Sequence, residues 1–199
     1  GFLLVTDVPD ETPEGASGRI IATRLGSLVS STWGEVQDLK VLPNANNNAF
    51  SSLSIGPHCD LPYSSLSCAF MVLHCRANDD LSPTSGVSTL VDTFAVASFM
   101  KENHPEEFEI LSRLPYTAKH QGFTHRRTIF RVDSVTNELL ACTHDRDFSL
   151  LCEHPQQLKD VQLWYKAYNR FKTLINDPKY ELRHKLLPGQ AWIIVNNRL

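Results

Sequence analysis

Residues 54–63, SIGPHCDLPY, place a histidine, a cysteine and an aspartate on consecutive positions ahead of a proline. On an extended stretch His58 and Asp60 point to the same face, and Cys59 points to the other. An imidazole and a carboxylate so placed can hold two neighbouring positions on one metal ion, with a third ligand arriving from elsewhere in the chain. Two histidines and one carboxylate make a facial triad, which leaves three positions open for a cosubstrate and oxygen on Fe(II). The same tripeptide also occurs as ordinary polar surface, and a motif this short takes its meaning from context. No histidine is spaced to complete a three-ligand zinc site beside His58, and no cysteine has a catalytic partner in sequence, so a zinc hydrolase and thiol catalysis are the weaker readings. His74 reads as a packed core histidine, His125-Arg126-Arg127 as a solvated basic turn, and His144-Asp145-Arg146-Asp147 as surface charge pairing.

The elements that must position such a pair follow from periodicity. Phe2–Val5 reads as a buried strand, and 10–18 as a loop rich in Glu, Pro, Gly and Ser. RIIATRLGSLVSS, with Ile20, Ile21, Leu25, Leu28 and Val29 at helical spacing, predicts a helix. The turn-prone NANNNAF (44–50) leads into a strand that carries His58. The uncharged run AFMVLH (69–74) predicts a strand buried on both faces. A short strand over Ser88–Val91 precedes two helices, TFAVASFMKEN and PEEFEILSRL, the second opened by Pro105 with Glu106 and Glu107 in its first turn. Residues 116–150 read as a β meander. Leu158, Val161, Tyr165, Tyr168, Phe171 and Ile175 mark an amphipathic helix, and Pro188-Gly189 turns the chain into AWIIV. With no repeat, linker or low-complexity tract, the pattern predicts one α+β domain built on a β sandwich or barrel with helices outside.

The bulk properties narrow the function classes. At 199 residues, 42% hydrophobic and 21% charged, the chain can bury a sizeable core. A formal charge of −3 and a pI near 6.2 provide no basic footprint for nucleic acid. No apolar run approaches the roughly 18 residues of a membrane span, and no signal-peptide pattern opens the chain. Five cysteines (59, 68, 75, 142 and 152) without a C-x-x-C suit reduced thiols in a cytosolic protein. GFLLVTDVP begins inside an apolar run and AWIIVNNRL stops in the run-out of another, so a domain truncated at both ends is expected over 1–199.

The order of these motifs resembles the iron(II)/2-oxoglutarate-dependent dioxygenases of the taurine dioxygenase superfamily, in particular their γ-butyrobetaine and trimethyllysine dioxygenase branch. HCDLPY is followed at matching spacing by Leu73-His74-Cys75, and then by SGVSTLVD (85–92) where the branch has Gly-Gly-x-Ser/Thr-x-x-Val-Asp. ENHPEEFEILSRLP and LWYKAYNRF resemble its next helices. LLPGQAWIIVNNRL resembles its run of Pro-Gly, apolar strand and Asp-Asn-x-Arg-Leu that leads to the distal iron histidine. The resemblance covers essentially the whole chain and implies a double-stranded β-helix, or jelly-roll, with helices packed on the outside.

It also implies roles for single residues. His58 and Asp60 match two of three iron ligands. The third, a histidine, is expected about two residues past Arg198-Leu199, and an arginine that would pair with the distal carboxylate of 2-oxoglutarate is expected further on. Asn47, Leu73 and Ser88 match positions around 2-oxoglutarate. Trp33 resembles one wall of an aromatic cage for a trimethylammonium group, Phe50 stands where a tyrosine is usual, and Tyr63 is grouped with them at the substrate. Another tyrosine expected before Trp33 falls in VSST, and a pair of asparagines falls near Cys142-Thr143; both are absent. The implied reaction is hydroxylation of γ-butyrobetaine or a related trimethylammonium amino acid, of the carnitine-biosynthesis type. It would use Fe(II), molecular oxygen and 2-oxoglutarate, with ascorbate as reductant. A taurine dioxygenase-like oxygenase for another small carboxylate, amine or sulfonate is the enzymatic alternative; a catalytically inactive jelly-roll that binds a ligand is the non-enzymatic one. Neither nucleic acid nor membrane is expected as a partner; relatives often form homodimers. A cytoplasmic location is expected, or a mitochondrial one if a transit segment precedes Gly1.

Overall fold

The computed structural model describes residues 1–12, 15–31, 34–44, 48–66, 68–78, 82–144, 148–150 and 157–198. The chain runs β1 (Phe2–Val5), β2 (Glu11–Thr12), β3 (Gly15–Ala16), α1 (Ser17–Leu25), β4 (Phe70–Cys75), β5 (Val87–Val91), α2 (Thr93–Asn103) and α3 (Pro105–Arg113). It continues with β6 (Tyr116–His120), β7 (Phe123–Arg127), β8 (Phe130–Val132), β9 (Leu139–Cys142), β10 (Phe148–Ser149), α4 (Leu158–Ile175), β11 (Glu181–Lys185) and β12 (Gln190–Val195). This is the expected mixture of helices and short strands. Among the described residues, hydrogen bonding sorts the strands into separate antiparallel groups: β1-β12-β4, β10-β6-β7, β11-β5, β2-β3 and β8-β9. The stretch expected as one meander is therefore divided between two sheets. No helix among the described residues is long and apolar enough to cross a membrane.

Two apolar clusters result, and β5 stands between them. Its consecutive residues Leu90 and Val91 are both buried but join different clusters, as the period of two requires of a strand covered on both faces. Val91 belongs to the larger cluster, where Met100 of α2, Leu111 of α3, Tyr116 of β6, Phe130 of β8 and Trp164 and Phe171 of α4 meet. Leu90 belongs to the smaller one, which lies between the β1-β12-β4 sheet and the β5-β11 pair. There Trp192 and Ile194 of β12 pack with Leu186 and with Leu4, Met71, Leu73 and Cys75.

Several local expectations change. α1 stops at Leu25 because Gly26 follows, so Leu28 and Val29 lie beyond the helix. β1 is an edge strand with Phe2 and Leu3 exposed, and β4 is the opposite edge with Phe70 exposed. β4 is thus half-buried, with α1 against its outer face, where a Cβ on Gly18 would stand 3.5 Å from His74 Cβ. The basic triplet His125–Arg127 lies in strand β7, and Arg127 donates to the Ser64 carbonyl at 2.7 Å. Burial and the neighbouring Arg127 hold the His125 pKa below its ordinary value.

Candidate metal and cosubstrate site

His58 and Asp60 do not lie on a strand. Residues 51–69 are irregular where described, and tertiary hydrogen bonds fix them instead. The Cys59 N–H donates to the His144 carbonyl at 3.0 Å, and the buried Cys59 thiol lies 3.5 Å from the Cys142 carbonyl. On the next residue, the Asp60 N–H donates to Asn196 Oδ1 at 2.8 Å, while Asn196 Nδ2 donates to the Asp60 and Cys68 carbonyls at 3.0 Å each. Leu61 follows with φ 54°, a conformation disfavoured for a bulky residue and more so before proline. It is closed by the Ser64 N–H on its carbonyl at 3.1 Å. Strain of this kind persists only where the surroundings over-determine it, and here it turns the chain away directly after Asp60.

The result is the side-chain pair that an extended stretch would also have made. His58 Nε2 stands 3.4 Å from Asp60 Oδ1, and both side chains are partly exposed. His58 Nδ1 is 2.9 Å from the Gly56 carbonyl, which can only accept, so the proton of the neutral ring sits on Nδ1 and Nε2 is the electron-pair donor. The pair therefore brings a nitrogen and an oxygen donor together, a contact that a cation between them or a proton on the ring makes favourable. Two ligands about 2.1 Å from a first-row ion and at right angles stand about 3 Å apart, close to the separation seen. The backbone carbonyl behind the ring supplies the orienting partner that metal-bound histidines need. The donor set fits a divalent metal. Among the described residues no group of three or more His, Cys, Asp or Glu side chains gathers in a metal-holding arrangement.

The chain after β12 passes beside this pair. Asn196 continues the inward alternation of Trp192 and Ile194, and its N–H bonds the Ala69 carbonyl at 3.0 Å. The Asn197 carbonyl accepts from Cys142 N–H at 2.8 Å. The Arg198 carbonyl accepts from both the backbone and hydroxyl of Thr93, at 3.2 and 2.7 Å. Two buried thiols, Cys59 and Cys142, and the half-buried Cys68 lie near the segment. Burial and the nearby Cys59 push Cys142 well above the ordinary thiol range, against the pull of Thr93. Burial, then the Asp60 charge, raises Cys68.

Leu73 and Ser88, expected around 2-oxoglutarate, lie on strands of two sheets that face one another. Leu73 pairs with Trp192, Ser88 pairs with His184, and the His184 ring stacks on Trp192 at 5.5 Å. Both residues thus face the space between the two sheets, Ser88 on the same side of β5 as Leu90. Trp192 precedes Asn196 by four positions, roughly 13 Å of strand, so His58 and Asp60 sit at one end of this space and Leu73 and Ser88 further in. Tyr63 stacks on His120 at 4.7 Å and packs against the larger cluster. Phe50 ends a single helical turn (Asn48–Phe50) whose loop is closed by the Leu42 N–H on the Phe50 carbonyl at 2.9 Å. Trp33 and Asn47 lie outside the described residues.

Two participants escaped the reading of the sequence. Asn196 was passed over as part of a motif, although its phase with Trp192 and Ile194 marked it as inward-facing. His144 was expected at the surface but is buried, 5% exposed, with its ring against Tyr168 and Phe171. No local signal reveals this, because the burial comes from α4, and Asp145–Asp147 beside it lie outside the described residues.

The chain is similar to known proteins along its whole length. The chain is 26% identical over 205 residues to a trimethyllysine dioxygenase of Meyerozyma guilliermondii, covering 100% of this chain and 50% of the relative. It is 27% identical over 183 residues to a gamma-butyrobetaine dioxygenase of Pseudomonas sp. (strain AK-1), covering 90% and 46%. The chain thus spans about half the length of the curated relatives it matches. Among solved structures, an asparagine oxygenase in complex with Fe(II), 3-hydroxyasparagine and succinate superposes with a TM-score of 0.69 at 14% identity, over 100% of this chain and 66% of that one. The non-heme iron oxygenase OrfP with Fe and alpha-ketoglutaric acid superposes at 0.67 and 13%, over 100% and 67%. These likenesses show the fold. The model of the taurine catabolism dioxygenase TauD, TfdA family matches residues 1–199, and the chain belongs to that family.

Proposed function

We propose that residues 1–199 form one oxygenase domain, or the larger part of one, of jelly-roll type in an Fe(II)- and 2-oxoglutarate-dependent dioxygenase that hydroxylates a trimethylammonium amino acid such as γ-butyrobetaine or trimethyllysine. The single observation that supports this most is the His58–Asp60 pair, with Nε2 and Oδ1 3.4 Å apart and the ring oriented from behind by Gly56. The names of the relatives support the substrate class. When bound, Fe(II) with 2-oxoglutarate supplies oxidative decarboxylation to succinate and carbon dioxide, coupled to hydroxylation of the substrate.

The work of this chain is then to hold and orient. His58 and Asp60 would be two ligands, and a histidine C-terminal to Leu199 the third. The bonds that fix Asn196, Asn197 and Arg198 bring the chain past Asp60 and support that assignment. Ser88 would donate its hydroxyl to a 2-oxoglutarate carboxylate, and Leu73 with Trp192 would exclude water beside it. Asn47 would complete the cosubstrate pocket, and Trp33, Phe50 and Tyr63 are the aromatic faces proposed for the substrate's quaternary nitrogen, each worth about 0.5 to 2 kcal/mol.

The test uses the full protein that contains this chain, with Fe(II), ascorbate, 2-oxoglutarate and oxygen. Succinate should rise with γ-butyrobetaine or trimethyllysine and disappear in His58→Ala. Succinate that still needs His58 but forms equally without either substrate would keep the oxygenase and reject the substrate class. No succinate, together with no Fe(II) binding, would reject both.

A further inference from the structure

We infer that Asn196 is a positioning residue for the metal site: it holds the Asp60 backbone from both sides, so that the carboxylate is presented to the metal at the place where His58 Nε2 meets it. The inference rests on the metal reading of His58 and Asp60 and goes beyond it by naming what fixes their geometry.

Asn196 is 3% exposed, and its amide is used fully toward the site. Oδ1 accepts the Asp60 N–H at 2.8 Å, and one nitrogen serves both the Asp60 and the Cys68 carbonyls at 3.0 Å. Accepting from a residue's N–H while donating to its C=O reproduces what a neighbouring strand does, and among the described residues no strand does this for His58–Asp60. Another backbone tie in the tripeptide is Cys59 N–H to the His144 carbonyl, at 3.0 Å. One side chain thus stands in for a strand partner at the residue that carries the carboxylate. It does so next to a strained Leu61, φ 54°, that would otherwise relax and swing Asp60. Only an amide has both functions. Aspartate keeps the acceptor and loses both donors; alanine loses everything. The bond to Cys68 also ties the approach to β4 into the same node, so the metal-side carboxylate, β12 and β4 are held by one residue.

The experiment reads metal binding and stability separately, by titrating Mn(II) alone, followed by its paramagnetic resonance, into the full protein and by measuring Tm. Asn196→Ala should weaken Mn(II) about 10- to 100-fold, the usual loss when the group orienting a metal ligand is removed. Asn196→Asp should fall between alanine and the wild type. Ile194→Ala is the structural control: Ile194 is 2% exposed on the same face of β12 and is not bonded to Asp60. It should lower Tm at least as much as Asn196→Ala and leave Mn(II) affinity within about threefold. Unchanged affinity in Asn196→Ala, or equal losses in Asn196→Ala and Ile194→Ala, would overturn the inference. If Asn196→Ala does not fold, wild-type affinity in Asn196→Asp overturns it. A wild-type protein that does not bind Mn(II), or a His58→Ala protein that binds it unchanged, would instead sink the metal reading and this inference with it.

Discussion

Removing the indole of Trp192 tests whether the space between the two sheets is a cosubstrate compartment separate from the metal end. Trp192 is 1% exposed at the centre of β12, with Leu4 and Leu73 paired to it on either side, His184 stacked on its face at 5.5 Å and the Phe2 ring at 6.0 Å. A buried indole removes about 150–250 Å² from water, roughly 4–6 kcal/mol at 25 cal/mol per Å². An alanine keeps part of this and leaves a cavity, so Trp192→Ala should cost about 3–5 kcal/mol. For a chain of this size that is a fall in Tm of roughly 6–20 °C. Trp192→Phe keeps most of the packing and should cost about 1–2 kcal/mol. The stack itself should appear as a coupling of about 0.5–1.5 kcal/mol in a double-mutant cycle with His184→Ala. The assay combines denaturant unfolding with titrations of Mn(II) and 2-oxoglutarate at a temperature where every variant is folded. If the compartments are divided as described, Trp192→Phe weakens 2-oxoglutarate at least fivefold and Mn(II) less than threefold. A stability loss in Trp192→Ala below about 1 kcal/mol, or equal weakening of both ligands in Trp192→Phe, would refute this division.

Further outcomes follow from other parts of the fold. Glu107 is buried in α3 and, although burial opposes it, Arg170 and Lys166 hold its carboxyl below the usual glutamate range. Its contribution is therefore fully present above about pH 4.3 and fades as the pH falls through the depressed value. Glu107→Gln should cost about 1–3 kcal/mol at pH 7, because its cationic partners can turn to water, and should flatten the acid limb of a stability-versus-pH curve. Gln121 and Gly122 join β6 to β7 with φ of 46° and 87°, the pattern of a hairpin turn that favours Asn-Gly. Gln121→Asn should stabilise by about 0.5–1 kcal/mol, measurable as a shift of the denaturant midpoint at constant slope. Asp92 caps α2 by accepting the Phe94 and Ala95 N–H groups at 3.2 Å, so Asp92→Ala should lose about 1 kcal/mol in the same measurement.

What could be read from residues alone was local or periodic. The four helices were legible because their apolar residues recur at helical spacing, as in Leu158–Ile175, and because Pro105 marks a start, although the stop at Gly26 was read through. The inward phase of AWIIV was legible too, since alternation needs only the next residue. His58 and Asp60 stood out because two metal-capable side chains lay two positions apart. The sequence by itself therefore determined which residues can bind a metal, where the helices run and which face of the last strand is buried. Only the tertiary structure decided how that chemistry is held. The tripeptide takes its shape from Asn196, 136 positions away from Asp60, and from the main chain of His144, and neither bond leaves a trace in local periodicity. Likewise Leu73 and Ser88 face one space only because two sheets pack together, with His184 stacked on Trp192. Spacing rules reach about one turn of helix or one strand pair, whereas a site is closed by contacts whose partners the chain path alone selects.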